Sequence, residues 1–257
     1  MISDTSYLVM GNSNTTLVDN IRKELTAINE NGDRNLNLSL FFACIILFVY
    51  CYFGSFSFFE KTFVNLPDLA YWKIIYHHCM SLALFFCLGI VFTKFVLRKS
   101  LKDYGLGLGQ KYLSLILVLI AIPISLLCGL TSVSDEQMSA TYPLVDLNVY
   151  GAGNWVIGYY VSYFLYYVGW EYLFRGLLLN ASKGKMGVFG AILFTTLISA
   201  LIHTSIGAFG KPMIETLSAI PAGIIFGYIA YKTKSIYPTL IIHFLIGLFT
   251  DLCIFSL

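Results

Sequence analysis

YLSLILVLIAIPISLLCGLT, residues 112–131, decides what kind of molecule this is. Twenty residues pass without a charge. As a helix they reach about 30 Å, the thickness of a bilayer's hydrocarbon core. Outward from it, six more apolar runs occupy 38–59, 74–96, 155–179, 187–206, 216–231 and 236–257. The sixth of the seven in chain order, 216–231, is short and contains Pro221, which predicts a kink or an incomplete crossing. The runs are continuous instead of alternating, which excludes a membrane barrel. The expectation is an all-α, polytopic helical membrane protein with about seven transmembrane helices, within six to eight. It comprises a polar N-terminal segment, 1–37, and a transmembrane domain, 38–257.

Composition agrees. Of 257 residues 58% are hydrophobic and 12% charged, against about 25% charged in soluble domains. Too few polar residues exist to cover a water-facing surface, so a soluble domain and a disordered chain are both excluded. A net charge of +2 gives no reason to expect a nucleic-acid partner. Cys44, Cys51, Cys79, Cys87, Cys128 and Cys253 all lie in apolar runs and form no CxxC pair. They read as packing residues, not as a disulfide framework or a zinc knuckle. In 1–37 no basic stretch precedes an early apolar run, so this start does not read as a signal peptide. Val18, Ile21, Leu25 and Ile28 recur at helical spacing and predict a short amphipathic helix.

Lys and Arg set the orientation. With the N-terminus in the cytoplasm, thirteen of the sixteen fall on inside segments, counting Arg175. Lys61, Lys73 and Lys211 fall outside. This asymmetry predicts an integral protein of the cell membrane with its C-terminus outside. The longest connection, 133–154, carries Asp135, Glu136 and Asp146 and no cation.

Against this apolar background the charged and basic residues stand out. Glu171 and Arg175 lie within the fourth run at i and i+4, with Glu first, the favourable order for a helical ion pair. A charge at mid-bilayer costs about 2.5–3.5 kcal/mol on insertion scales. Apolar residues would serve a purely structural contact as well or better. His203 ends a polar stripe with Thr196 and Ser199, and His243 shares a face with Gly247 and Thr250, with Asp251 offset. Counting residues to the nearest inside loop puts Glu171, His203 and His243 roughly 18, 19 and 14 Å deep. They can therefore meet between mid-bilayer and the cytoplasmic face. His77 and His78 read as interfacial and without a role. Glu215 reads as an acidic residue favouring a helix N-terminus, with entry into the site as the other option.

Trp170-Glu171-Tyr172-Leu173-Phe174-Arg175-Gly176, then His203, then His243 resemble the three motifs of the CAAX prenyl endopeptidase and bacteriocin-processing (CPBP, Abi) family of intramembrane proteases. The family patterns are EExxFRG, FxxxH and HxxxN, and the resemblance covers about 155–257. Two positions depart. Trp170 replaces the first Glu, to which the family's water-activating role is usually assigned, and Gly247 replaces the Asn thought to steady the oxyanion. The resemblance implies an intramembrane endopeptidase that hydrolyses a peptide bond with a Glu-activated water. Its catalytic residues would be Glu171, His203 and His243, supported by Arg175. Asp251 could stand in for the Asn if protonated. The partners implied are membrane lipid and a peptide or protein substrate, prenylated in the family's best-known cases. Glu171, His203 and His243 could alternatively hold zinc; metal-free general-base chemistry is the favoured expectation. The second reading is a degenerate member serving as a bacteriocin-immunity or membrane-partner protein. A transporter is a third.

Overall fold

The computed structural model describes residues 18–20, 33–150, 153–204 and 210–256. Among them every regular element is helical. Six stretches are long and apolar enough to cross a membrane, the longest being Asn154–His203 at 50 residues. A straight helix of that length would span about 75 Å, far more than a bilayer. It is broken at Gly187, whose φ of 70° and ψ of 165° no helix accommodates. Seven rods result: α1 (Arg34–Phe53), α2 (Leu69–Val96), α3 (Lys111–Ser132), α4 (154–186), α5 (188–203), α6 (Met213–Thr233) and α7 (Tyr237–Ser256). The protein is a polytopic helical membrane protein, as its composition requires.

Boundaries moved where hydrogen bonding, not polarity, ends a helix. The first run stops at Gly54, and Ser55 caps a separate short helix, Phe56–Thr62. The fourth run continues seven residues past Leu179 through polar but helix-compatible sequence. Pro221 does not shorten α6, which holds 21 residues, about 31 Å. The amphipathic helix expected from Val18 to Ile28 lies outside the described residues except for Val18–Asn20, which are helical and exposed.

Each rod turns a narrow stripe inward and broad apolar faces outward. On α1 the buried residues are Ser39, Ala43, Ile46 and Tyr50, while Phe41, Ile45 and Phe48 are exposed. That distribution suits lipid, where apolar exposure costs nothing and association depends on close packing. The stripes are accordingly small. Ala121, Ser125 and Gly129 line the buried face of α3, which packs on α7. On α6, a Cβ at Gly223 or Gly227 would meet Thr196 or Ile192 of α5 at 2.8 and 2.9 Å.

The described part of the connection from α3 to α4, 133–150, folds back onto the bundle. Asp135 caps Glu136–Thr141 by accepting from the Met138 N–H at 2.9 Å. Beyond it Tyr142, Val145 and Leu147 are buried. This segment closes one end of the site.

Candidate active site

Glu171 ends the first α-wound part of α4, Tyr172–Leu178 follows as a π-helical turn carrying Arg175, and α winding resumes at Leu179. Such widened turns commonly mark functional sites. The Glu171 side chain is fully buried and Arg175 is 3% exposed. Arg175 Nη1 lies 3.6 Å from Glu171 Oε1, and Phe174 and Phe226 flank the guanidinium. The same Oε1 accepts a 2.8 Å hydrogen bond from His243 Nδ1 of α7. Helices α4 and α7 therefore meet through one carboxylate and two basic groups.

His243 packs against Tyr167, with ring centroids 4.2 Å apart and the planes tilted by 37°. It lines a small cavity of about 30 Å³ shared with His203, His78 and Glu215, room for about one water. Glu171 lies behind His243 and outside the cavity lining. His203 ends α5 and stands edge-on to Trp170, with ring centroids 5.2 Å apart. It reaches the cavity without a direct bond to Glu171. The walls also include Phe56, Leu144 and Lys211, from connections that the charge distribution assigns to the exterior. The cavity thus lies toward the end of the bundle that carries these connections, whereas the depth count favoured the opposite half. His203 sits at the far end of α5 from Gly187, which accounts for the difference.

The hydrogen bonds fix the imidazoles. A carbonyl only accepts, so His203 Nδ1 donates to Ser199 O at 2.6 Å. Ser162 gives its hydroxyl proton to Tyr159 O, so at 2.9 Å it accepts from His78 Nδ1. With His243 Nδ1 on Glu171, three cavity histidines leave Nε2 as the nitrogen free to accept a proton. His77 differs: Nδ1 meets Gly54 O at 2.8 Å and Nε2 meets Tyr50 Oη at 2.9 Å.

His77 and His78 were read as interfacial; both are buried and line the cavity, a correction to the sequence reading. The apolar run begins close to them in sequence, but the inward stripe of α2 carries them against α4. Glu215 occupies the first turn of α6 and also enters the cavity. Its carboxylate accepts from Tyr142 Oη at 2.8 Å and pairs with Lys211 at 3.3 Å. Lys211 also donates to Tyr142 Oη. Burial first, then the Glu215 charge, pushes the Tyr142 hydroxyl well above its ordinary range, so it remains a donor at neutral pH. A lysine, a tyrosine and a glutamate thus tie the segment around Tyr142 to the mouth of the cavity.

Gly247 is explained by packing. A Cβ there would lie 2.6 Å from the Tyr163 hydroxyl and 2.8 Å from that of Tyr167. Tyr167 donates to Tyr163 at 3.0 Å, and both rings line the cavity. Two phenols fill the space of a side chain at 247. Asp251 is buried elsewhere, accepting from Tyr159 at 2.8 Å, and does not line the cavity. We expect Gly247→Asn to destabilise the protein by about 1–3 kcal/mol through overpacking. Chemical unfolding should show this, with Tyr167→Phe recovering little because Tyr163 still obstructs.

The zinc alternative does not fit this arrangement. Among the described residues no three His, Cys, Asp or Glu side chains converge as metal ligands. Glu171 and His243 are instead bonded to each other.

The bundle thus holds a buried carboxylate–imidazole pair beside a small cavity. Residues 152–249 match the family model described as Rce1-like, type II CAAX prenyl endopeptidase. Over that segment the chain is similar to this family, one of proteases, as its motifs implied. No curated protein and no solved structure matches the chain.

Proposed function

We propose that this protein hydrolyses a peptide bond within the membrane, with water activated by His243 and His243 oriented by Glu171. The reading rests chiefly on the 2.8 Å bond between Glu171 and His243 Nδ1, which leaves Nε2 for the cavity. This refines the expected mechanism: the carboxylate acts through the imidazole instead of touching the water. Nε2 removes a proton as the water oxygen attacks the carbonyl carbon, and Glu171 stabilises the resulting imidazolium. The carbonyl oxygen takes the negative charge, facing the Tyr163 hydroxyl, which accepts from Tyr167 and keeps its own proton to donate, in place of the family's Asn. The imidazolium then gives its proton to the departing amine. His203 and His78 hold water through Nε2. Substrates are peptides or proteins, with prenylated chains the first to try.

A second reading, an immunity or membrane-partner protein without cleavage, is favoured by Trp170. It stands where the family has its first Glu, is 2% exposed and packs on Tyr166 and Phe174. Purified full-length protein incubated with a peptide library in detergent separates the two. The hydrolase reading requires cleavage that survives chelators and is lost in His243→Ala. The partner reading requires protection of cells from a peptide toxin that persists in that variant.

We place the N-terminus in the cytoplasm and the C-terminus outside, on the charge asymmetry alone. In a cysteine-free background, an impermeant maleimide should label Asp146→Cys in intact cells. Lys185→Cys should be labelled only after permeabilisation. The reverse pattern would invert the orientation.

A further inference from the structure

A second, larger cavity of about 390 Å³ lies on the other side of the Glu171–Arg175 pair. Its size is that of a small-molecule site. Arg175 forms its buried end, and Lys102, Lys183 and Lys234 stand around it with Asp103 as the opposing charge. Among the described residues none of these lysines is ion-paired with a carboxylate. Arg175 is also incompletely used: Nε and Nη1 are buried without a hydrogen-bond partner, and Nη1 only approaches Glu171 at 3.6 Å. A buried guanidinium with idle donors is costly unless an anion meets it. Asn180 holds Lys183 in place, accepting from its ammonium at 2.6 Å while donating to Gly176 O at 2.7 Å.

The walls are fixed before any ligand arrives. The 105–110 loop is bonded to the turn between α6 and α7, Ile236 N–H to Gly105 O at 2.9 Å and Gln110 N–H to Thr233 O at 2.8 Å. At Gly109 a Cβ would overlap Thr233 O, so the loop lies flat on that turn. Such a basic hollow between helices suits a phosphate group, which takes several charged donors at once.

The geometry points to this cavity as a binding site for a phosphate group, carried either by the headgroup of an anionic lipid or by a soluble compound. Among the described residues it shares no lining residue with the histidine cavity, and the contacts Arg175–Glu171 and Glu171–His243 lead from one to the other.

The test is calorimetric titration of the full-length protein in maltoside micelles at constant ionic strength. The probes are dihexanoyl phosphatidylglycerol, dihexanoyl phosphatidylcholine and inorganic phosphate. Phosphatidylglycerol should bind about tenfold more tightly than phosphatidylcholine. Lys183→Gln with Lys234→Gln should weaken it by about tenfold or more. Lys94→Gln with Lys99→Gln removes as much charge elsewhere and should change Kd by less than about twofold. Displacement of the lipid by inorganic phosphate identifies a soluble phosphate group as sufficient; failure to displace identifies the lipid headgroup. Equal affinity for both lipids, or equal weakening by both double variants, overturns the proposal. Thermal unfolding without ligand checks folding. If the pocket double variant does not fold, Lys102→Gln at the exposed rim takes its place, with a loss of about threefold expected and none overturning the site.

Discussion

Replacing Arg175 with Leu should destabilise the protein by about 3–5 kcal/mol, the largest single effect on folding. Glu171 is fully buried, and its Oε2 has no hydrogen-bond partner among the described residues. Without the guanidinium, His243 and the neutral Thr239 hydroxyl remain beside it, and neither is a permanent positive charge. The carboxylate would then sit under-compensated in low dielectric or take up a proton, and either route forfeits native stability. Leucine adds no replacement donor to the flanking Phe174 and Phe226 rings. Replacing both Glu171 and Arg175 with Leu should recover much of the loss, because no charge is left stranded. Denaturant unfolding in detergent measures this. If the double variant is as unstable as the single one, the pair does not act as a pair.

The second large effect is on activity. His243→Ala removes the proposed base and should lower kcat/KM by about 10²–10⁴-fold. Glu171→Gln keeps volume and a hydrogen-bond acceptor but loses the charge that steadies the imidazolium. It should also lower kcat, with KM little changed, because the carboxylate never touches substrate. His203→Ala leaves the Glu171–His243 bond intact and should cost less than His243→Ala. Equal rates for wild type and His243→Ala would remove His243 from the chemistry, whatever the fate of Glu171.

What could be read from the sequence depended on how far each contact lies from its own helix. Glu171 and Arg175 pair within one turn, so spacing alone announced them. The seven runs were legible because lipid demands apolarity over a fixed length, and the break at Gly187 coincides with the expected start of the fifth run. His243 was legible through the motif, not through any local rule, since its partner is 72 residues away. His78 was missed: its role depends on Ser162, 84 residues distant, and on which face of α2 turns inward. Glu215 carries the pattern of a helix-start acid and satisfies it, which conceals its second position in the cavity wall. Tyr163 and Tyr167 gave no signal among so many aromatic residues. Gly247, read as a missing Asn, is where these phenols fit.

The most direct test of the central claim is peptide cleavage by the purified protein in water enriched in oxygen-18, followed by mass spectrometry of the fragments. If water activated at His243 breaks the peptide bond, the new C-terminal carboxylate carries one heavy oxygen, and His243→Ala yields no such fragment. Absence of labelled fragments from wild type across the library, or their equal formation by His243→Ala, would contradict the account.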